Sequence, residues 1–97
     1  NILKPVKFTL QQNYPNPFNP VTQIEYGLPV ASHVHLAIYD LLGREVVTLV
    51  NSTQDAGYKS ISWDGTNSLG KPVSAGMYFY LIQAGDFRQV KKMILLK

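Results

Sequence analysis

Apolar and polar residues alternate with a period of two along most of this sequence, in short runs that end at Gly, Pro, Asn or Asp. Val34, Leu36 and Ile38, for example, alternate with His33 and His35. Successive side chains of a β-strand point to opposite faces, so this pattern predicts half-buried strands, and helical periodicity is nearly absent.

Seven such runs are separated by turn sequences, and this spacing is typical of an all-β sandwich or barrel. We therefore predict a seven-stranded antiparallel β-sandwich of the immunoglobulin-like or fibronectin III-like type. The predicted strands cover residues 8–12, 22–26, 33–38, 44–50, 58–63, 77–82 and 87–96. Residues 51–57 are expected to form a polar loop, and residues 77–82, which are apolar on both faces, the most buried strand. The predicted core comprises Val34, Leu36, Ile38, Ile61, Trp63, Tyr78, Tyr80 and Ile82, with Trp63 between the sheets.

Length and composition limit the alternatives. A chain of 97 residues is one small domain, and 45% hydrophobic with 15% charged residues excludes a disordered tail. No apolar run is long enough for a membrane-spanning helix, so we expect no membrane insertion. The absence of cysteine excludes a disulfide scaffold and a cysteine nucleophile. The chain begins at Asn1 without a signal-peptide pattern, so we expect it to be part of a longer protein, with residues 1–7 as a linker and 8–97 as the domain.

The net charge of +3 is concentrated at one end of the sequence. Positive and negative residues balance over residues 1–85, whereas residues 86–97 carry four basic residues against Asp86. We predict that residues 86–97 form an accessible edge strand and that its basic residues are a docking surface for a partner. The alternative is that the lysines only protect this edge from aggregation. No broad basic face accompanies them, so nucleic acid is not an expected partner. The four docking candidates are Arg88, Lys91, Lys92 and Lys97.

Catalytic and metal-binding patterns are incomplete. His33 and His35 share a strand face but lack a third zinc ligand. Asp64 and Asn67 lie in a loop with too few carboxylates for calcium, and we expect them to shape the turn. No acid–base pair or nucleophile elbow is present, so we predict no enzyme activity, no cofactor and no metal. The six tyrosines leave a sugar-binding surface as an alternative.

Four segments, in this order, resemble one family. They are residues 13–29 (NYPNPFNPVTQIEYGLP), residues 38–46 (IYDLLGREV), residues 63–80 (WDGTNSLGKPVSAGMYFY) and the terminal residues 91–97 (KKMILLK). Together they resemble the type A C-terminal sorting domain of the type IX secretion system, which is related to the immunoglobulin-like domain of the flagellar hook-capping protein. The motif residues are Asp40, Gly43, Arg44, Trp63, Asp64, Gly65, Gly70, Gly76, Tyr78 and Tyr80.

The resemblance implies a non-catalytic delivery role in a Bacteroidetes-type bacterium. Such a domain directs an attached cargo, often a hydrolase or an adhesin, through an outer-membrane translocon to the cell surface, and a sortase-like peptidase then removes it. The expected partners are the translocon, the peptidase and the cargo domain upstream in the same chain. The expected location is the periplasm in transit, then the cell surface or the medium, and the domain is expected to be a monomer. The rival expectation is an accessory β-sandwich module, a spacer or a carbohydrate-binding domain, of an extracellular enzyme.

Overall fold

The computed structural model describes residues 4–96 and contains seven β-strands in two antiparallel sheets, which confirms the predicted fold class. The strands are β1 (Thr9–Leu10), β2 (Thr22–Leu28), β3 (Ser32–Tyr39), β4 (Glu45–Gln54), β5 (Gly57–Trp63), β6 (Gly76–Ala84) and β7 (Phe87–Leu95). Within the described residues, no helix is long and apolar enough to cross a membrane.

Three strands form one sheet and four form the other. The order in the smaller sheet is β1-β2-β5, and the order in the larger sheet is β4-β3-β6-β7. The larger sheet is built from the β3–β4 and β6–β7 hairpins, joined by the pairing of β3 with β6. Strands β1, β4, β5 and β7 are therefore the edge strands.

Two expectations about the strands are wrong. Strand β4 continues to Gln54, through residues that we expected to form a loop, because their backbone pairs with β3 from Asn51 to Gln54 while most of their polar side chains face water. Strand β6 is not the most buried strand: its side chains alternate between buried and half-buried, and β2 has the larger buried share. The apolar residues on the second face of β6 cover the outside of the larger sheet.

Seven of the eight predicted core residues are buried, and Ile61 is only partly buried. Trp63 lies in the core as predicted, with its indole ring in an edge-to-face contact with Tyr78 and a tilted contact with Phe18. The sequence reasoning did not place several other core residues there. These are Leu10, Phe18, Ile24, Tyr26, Leu28, Val50, Ala84, Met93 and Leu95.

Residues 11–20, here called the crossing segment, connect the two sheets along one side of the sandwich. Tyr14 forms a β-bridge with Gln23 of β2, and Phe18 forms one with Leu95 of β7. The X–Pro peptide bonds before Pro15, Pro17 and Pro20 are cis. As predicted from its prolines, the segment is neither a helix nor a central strand, but it contributes the buried ring of Phe18 to the core.

Buried polar groups fix the start of the crossing segment. The Tyr80 hydroxyl donates to the Gln11 carbonyl oxygen at 2.7 Å and accepts from the Asn13 amide at 2.8 Å. The buried Asn13 side chain donates to Thr22 Oγ1, which in turn donates to the Pro15 carbonyl oxygen. Within the predicted linker, Pro5 is buried and packs close to Gly27.

Candidate docking surface

Strand β7 lies at the edge of the four-stranded sheet, as predicted, but only part of this edge is accessible. The Phe18 amide donates to the Ile94 carbonyl oxygen at 3.0 Å, and the Leu96 amide donates to the Phe18 carbonyl oxygen at 2.8 Å. Asn16 Oδ1 accepts from the Ile94 amide. The expectation of an open edge along residues 86–97 is therefore wrong for Ile94 and Leu96, because the crossing segment already bonds to their backbone groups.

The alternating hydrogen-bond pattern of an antiparallel ladder shows which other residues of β7 have outward backbone groups. Ile94 directs both its amide and its carbonyl away from β6, and in such a ladder every second residue does the same. Arg88, Val90 and Lys92 therefore also present their backbone groups at the outer edge. The Gln12 side chain donates to the Lys92 carbonyl oxygen at 2.8 Å. The open portion thus runs from Arg88 to the amide of Lys92.

The four predicted docking residues do not form one cluster. Arg88 and Lys92 are exposed on the outer face of the sheet, together with Val90. Lys91 has the opposite side-chain direction, pairs with Tyr80 in register and is half-buried. Lys97 lies outside the described residues. The structure therefore brings two of the four basic residues together on one face.

An apolar groove of about 360 Å³ lies next to the open edge, on the outer face of the larger sheet. It is lined by residues of β3, β6 and β7 and of the β3–β4 turn. These are Tyr39, Asp40, Leu41, Gly43, Phe79, Leu81, Arg88 and Val90. Leu41 and Val90 are 64% and 54% exposed, respectively. We did not predict this groove, although its signal was present: β6 is apolar on both faces, and a half-exposed strand needs only one apolar face.

Some charged side chains near the groove form ion pairs and others do not. Asp40 forms an ion pair with Arg44, with Arg44 Nε 2.9 Å from Asp40 Oδ2. Hydrogen bonds from the Arg44 backbone amide, the Arg44 side chain and the Leu42 amide lower the pKa of Asp40. Among residues 4–96, in contrast, neither Arg88 nor Lys92 has a carboxylate within ion-pair distance. The open edge therefore carries two positive charges without a negative partner.

Most of the motif residues stabilise the fold. Asp40 closes the β3–β4 turn by accepting the Leu42 and Arg44 amides, and Gly43 adopts a φ of 81° there. Trp63 Nε1 donates to the Thr66 carbonyl oxygen at 2.8 Å, and the Tyr78 hydroxyl donates to the Ser74 carbonyl oxygen at 2.6 Å. Burial raises the pKa of Tyr80 to about 12.

The other motif residues shape loops. Asp64 accepts from the Thr66 hydroxyl, and a Cβ at Gly65 would lie 3.4 Å from the Pro20 carbonyl oxygen. Gly65, Gly70 and Gly76 all have positive φ angles, which glycine adopts without strain.

Two of the residues considered as metal ligands, His33 and Asn67, contact other groups of the chain. His33 Nε2 lies 2.9 Å from Asn51 Oδ1, and His35 is half-buried on the same strand. Asn67 Oδ1 accepts from the backbone amides of Leu69 and Lys71, so this side chain shapes its own turn as expected. Across residues 4–96, no group of three or more histidine or acidic side chains is arranged to hold a metal ion.

Two tyrosines are mostly exposed, one in the crossing segment and one on the outer face of the smaller sheet. Tyr14 and Tyr58 are 79% and 65% exposed. Tyr58 lines a polar groove of about 470 Å³ together with residues of β1, β2 and β5. The other residues that line it are Thr9, Gln11, Gln12, Glu25, Tyr26, Lys59 and Ser60. The remaining four tyrosines are buried or half-buried, and of these only Tyr26 lines the groove.

The sandwich, its β7 edge and its sheet order define an immunoglobulin-like β-domain, and the family comparison agrees. The FlgD Ig-like domain family matches residues 20–86, which is more than half of the chain. The chain therefore belongs to the FlgD Ig-like domain family. No curated protein matches the sequence.

Several solved structures share the fold. Dimeric latent PorU from Porphyromonas gingivalis superposes with a TM-score of 0.69 at 22% identity, over 92% of this chain and 9% of PorU. PorZ from the same species, described as an essential surface component of the type IX secretion system, superposes with a TM-score of 0.63 at 17% identity, over 93% of this chain and 11% of PorZ. FlgD from P. aeruginosa superposes with a TM-score of 0.60 at 28% identity, over 76% of this chain and 58% of FlgD. The chain thus spans about a tenth of the Por proteins and under two thirds of FlgD.

Proposed function

We propose that this chain is a non-catalytic sorting domain that directs an attached cargo protein through the type IX secretion system to the cell surface. The observation that carries the proposal is the fold match with PorZ, because this whole domain corresponds to a small part of a much larger secretion component. The same fold makes up about a tenth of PorU and of PorZ, and a delivery role needs attachment of this kind to a longer chain.

The sequence supports the same role. The segments around Tyr14, Asp40, Trp63 and the terminal lysines resemble type A sorting domains, and in the structure the first three stabilise turns, the core and the connection between the sheets. Residues 91–95 of the fourth segment form the second half of the edge strand β7. On this proposal the translocon binds the folded domain, and the sortase-like peptidase removes it at the cell surface.

Export of a reporter tests the proposal. The domain is fused to the C-terminus of a periplasmic reporter in a host that has the secretion system, and surface-exposed reporter is measured. We expect export with the intact domain, and loss of export in the same host when the translocon is deleted. Accumulation in the periplasm with the intact, folded domain would contradict the proposal.

The second candidate is a carbohydrate-binding accessory module, which the outer face of the smaller sheet favours. Tyr58 offers an exposed aromatic ring, and Glu25 and Ser60 beside it offer groups for sugar hydroxyls. Pull-down with insoluble cellulose, chitin and peptidoglycan tests this candidate. Binding that is lost in Tyr58→Ala, but retained in the control Tyr39→Phe at a half-buried residue of the other sheet, would favour it over the sorting role.

A further inference from the structure

The open portion of the β7 edge and the adjacent groove form one continuous surface. Val90 belongs to both: its backbone groups point to the outer edge, and its side chain lines the groove. Arg88 and Lys92 lie two residues before and after Val90, so all three side chains share the outer face at spacings of about 7 Å. The pattern along the edge is therefore positive, apolar, positive.

We propose that this surface binds an extended segment of another protein as a fifth strand of the larger sheet, and that the segment has an acidic-x-apolar-x-acidic pattern. A strand added to an edge gains backbone hydrogen bonds, and its alternate side chains contact the side chains beside them. An apolar residue opposite Val90 would pack against the Val90 side chain at the rim of the groove. Acidic residues two positions away on either side would then lie beside Arg88 and Lys92.

The pattern is the same read in either direction, so it does not depend on whether the added strand is parallel or antiparallel. Opposite charges across neighbouring strands stabilise the pair, and like charges destabilise it. The partner would be a component that recognises the domain during sorting, so its biological setting rests on the proposed function.

A second copy of this chain is disfavoured as the occupant. If two β7 strands paired antiparallel around Val90, Arg88 of one copy would lie opposite Lys92 of the other. Two such like-charge pairs would oppose dimerisation, since directly opposed like charges in a sheet are destabilising. The same two residues therefore discriminate between self-association and an acidic partner.

Binding of a short designed peptide to the 97-residue chain tests the inference directly. The probe is acetyl-Ser-Thr-Glu-Thr-Val-Thr-Glu-Thr-Ser-amide, and the matched control has Lys in place of both Glu residues. Backbone amide shifts are followed by nuclear magnetic resonance during titration. We expect the Glu peptide to shift the amides of Arg88, Val90 and Lys92 and to leave that of Leu96 unchanged, because Leu96 already donates to Phe18.

A charge reversal tests the recognition. The double variant Arg88→Glu with Lys92→Glu should lose about tenfold in affinity for the Glu peptide and should prefer the Lys peptide. The control Lys59→Glu with Lys71→Glu makes the same change in net charge on β5 of the other sheet and in the loop before β6, and it should keep the original preference. Val90→Pro removes an outward backbone donor without breaking the pairing with β6, and it should weaken binding of the Glu peptide by roughly tenfold.

Several outcomes would overturn the inference. Equal binding of both peptides, shifts confined to another strand or no binding at millimolar peptide would each do so, and no binding would leave the lysines with a protective role alone. A concentration-dependent dimer that Val90→Pro abolishes would identify a second copy as the occupant, contrary to the inference.

Export of the reporter is measured separately. Export without peptide binding would therefore reject this inference and retain the sorting function, and binding without export would do the reverse.

Discussion

At the residue scale, Trp63 is the largest fully buried side chain among the described residues. It is 2% exposed and contacts the rings of Phe18 and Tyr78 between the two sheets. Trp63→Ala should lower the free energy of unfolding by about 3–5 kcal/mol, measured by denaturant unfolding followed by circular dichroism. The control is Tyr58→Ala, at an exposed position, which should stay within about 0.5 kcal/mol of the parent. Equal losses in the two variants would contradict the assignment of Trp63 to the core.

Tyr80 has a second role, because its hydroxyl bonds to the backbone of the crossing segment. Tyr80→Phe leaves the buried Asn13 amide without its acceptor, and it should cost about 1–3 kcal/mol of unfolding free energy. Tyr14→Phe, at a hydroxyl-bearing residue that is 79% exposed, is the control and should have little effect. A neutral Tyr80→Phe would show that water replaces the hydroxyl.

The alkaline pH dependence follows from the same residue. Burial raises the pKa of Tyr80 from 10.0 to about 12, and it raises the pKa of Tyr26 and Tyr78 as well. The folded state thus favours the protonated phenol, and its contribution is fully present below pH 10.0. Stability should fall as the pH rises from 10.0 through about 12, and the fall should be shallower in Tyr80→Phe. An unchanged slope in this variant would contradict the role of Tyr80.

At the scale of single elements, the β3–β4 turn offers a test that is free of packing effects. Gly43 has a φ of 81°, and a Cβ there would meet no atom within 4 Å. Gly43→Ala should therefore cost about 1–2 kcal/mol through backbone strain alone. Gly43→Asn should cost less, because asparagine tolerates the left-handed region better. Thermal unfolding that ranks Asn below Ala in stability would contradict this assignment.

The strands were predictable from the sequence because alternation and turn residues are local signals. All seven exist near their predicted positions, and the limits differ most for β4. Its polar end lies on an edge strand, where exposed side chains tolerate polar residues, so composition alone could not separate it from a loop. The basic residues correctly indicated that β7 is an edge strand.

The accessible part of that edge could not be predicted in the same way. It depends on the pairing of Phe18 with Leu95, which are far apart in the sequence, and no local pattern specifies such a pair. The groove beside the edge likewise depends on which face of β6 lies outward. The sequence showed that both faces are apolar but not that one of them covers the outside of the sheet.

At the scale of the whole molecule, the contacts form one continuous core between the two sheets. Unfolding should therefore be a single cooperative transition, as for most domains of this size. Trp63 is the single tryptophan of the chain, so its fluorescence reports on the core, and far-ultraviolet circular dichroism reports on the strands. The two denaturant transitions should coincide, with the ring contact of Phe18 lost in the same step. Two separated midpoints would show that the sheets unfold independently.

The crossing segment also has a consequence for alignment. The backbone amide and carbonyl of Ile94 are already hydrogen-bonded to Asn16 and Phe18. An added strand could therefore not extend past this end of β7. A slip of one residue in register would move every side chain of that strand to the other face. This end point would therefore fix the register of an added strand and limit its binding site to a few residues around Val90. It also prevents the edge from serving as a long, uninterrupted template for fibre growth.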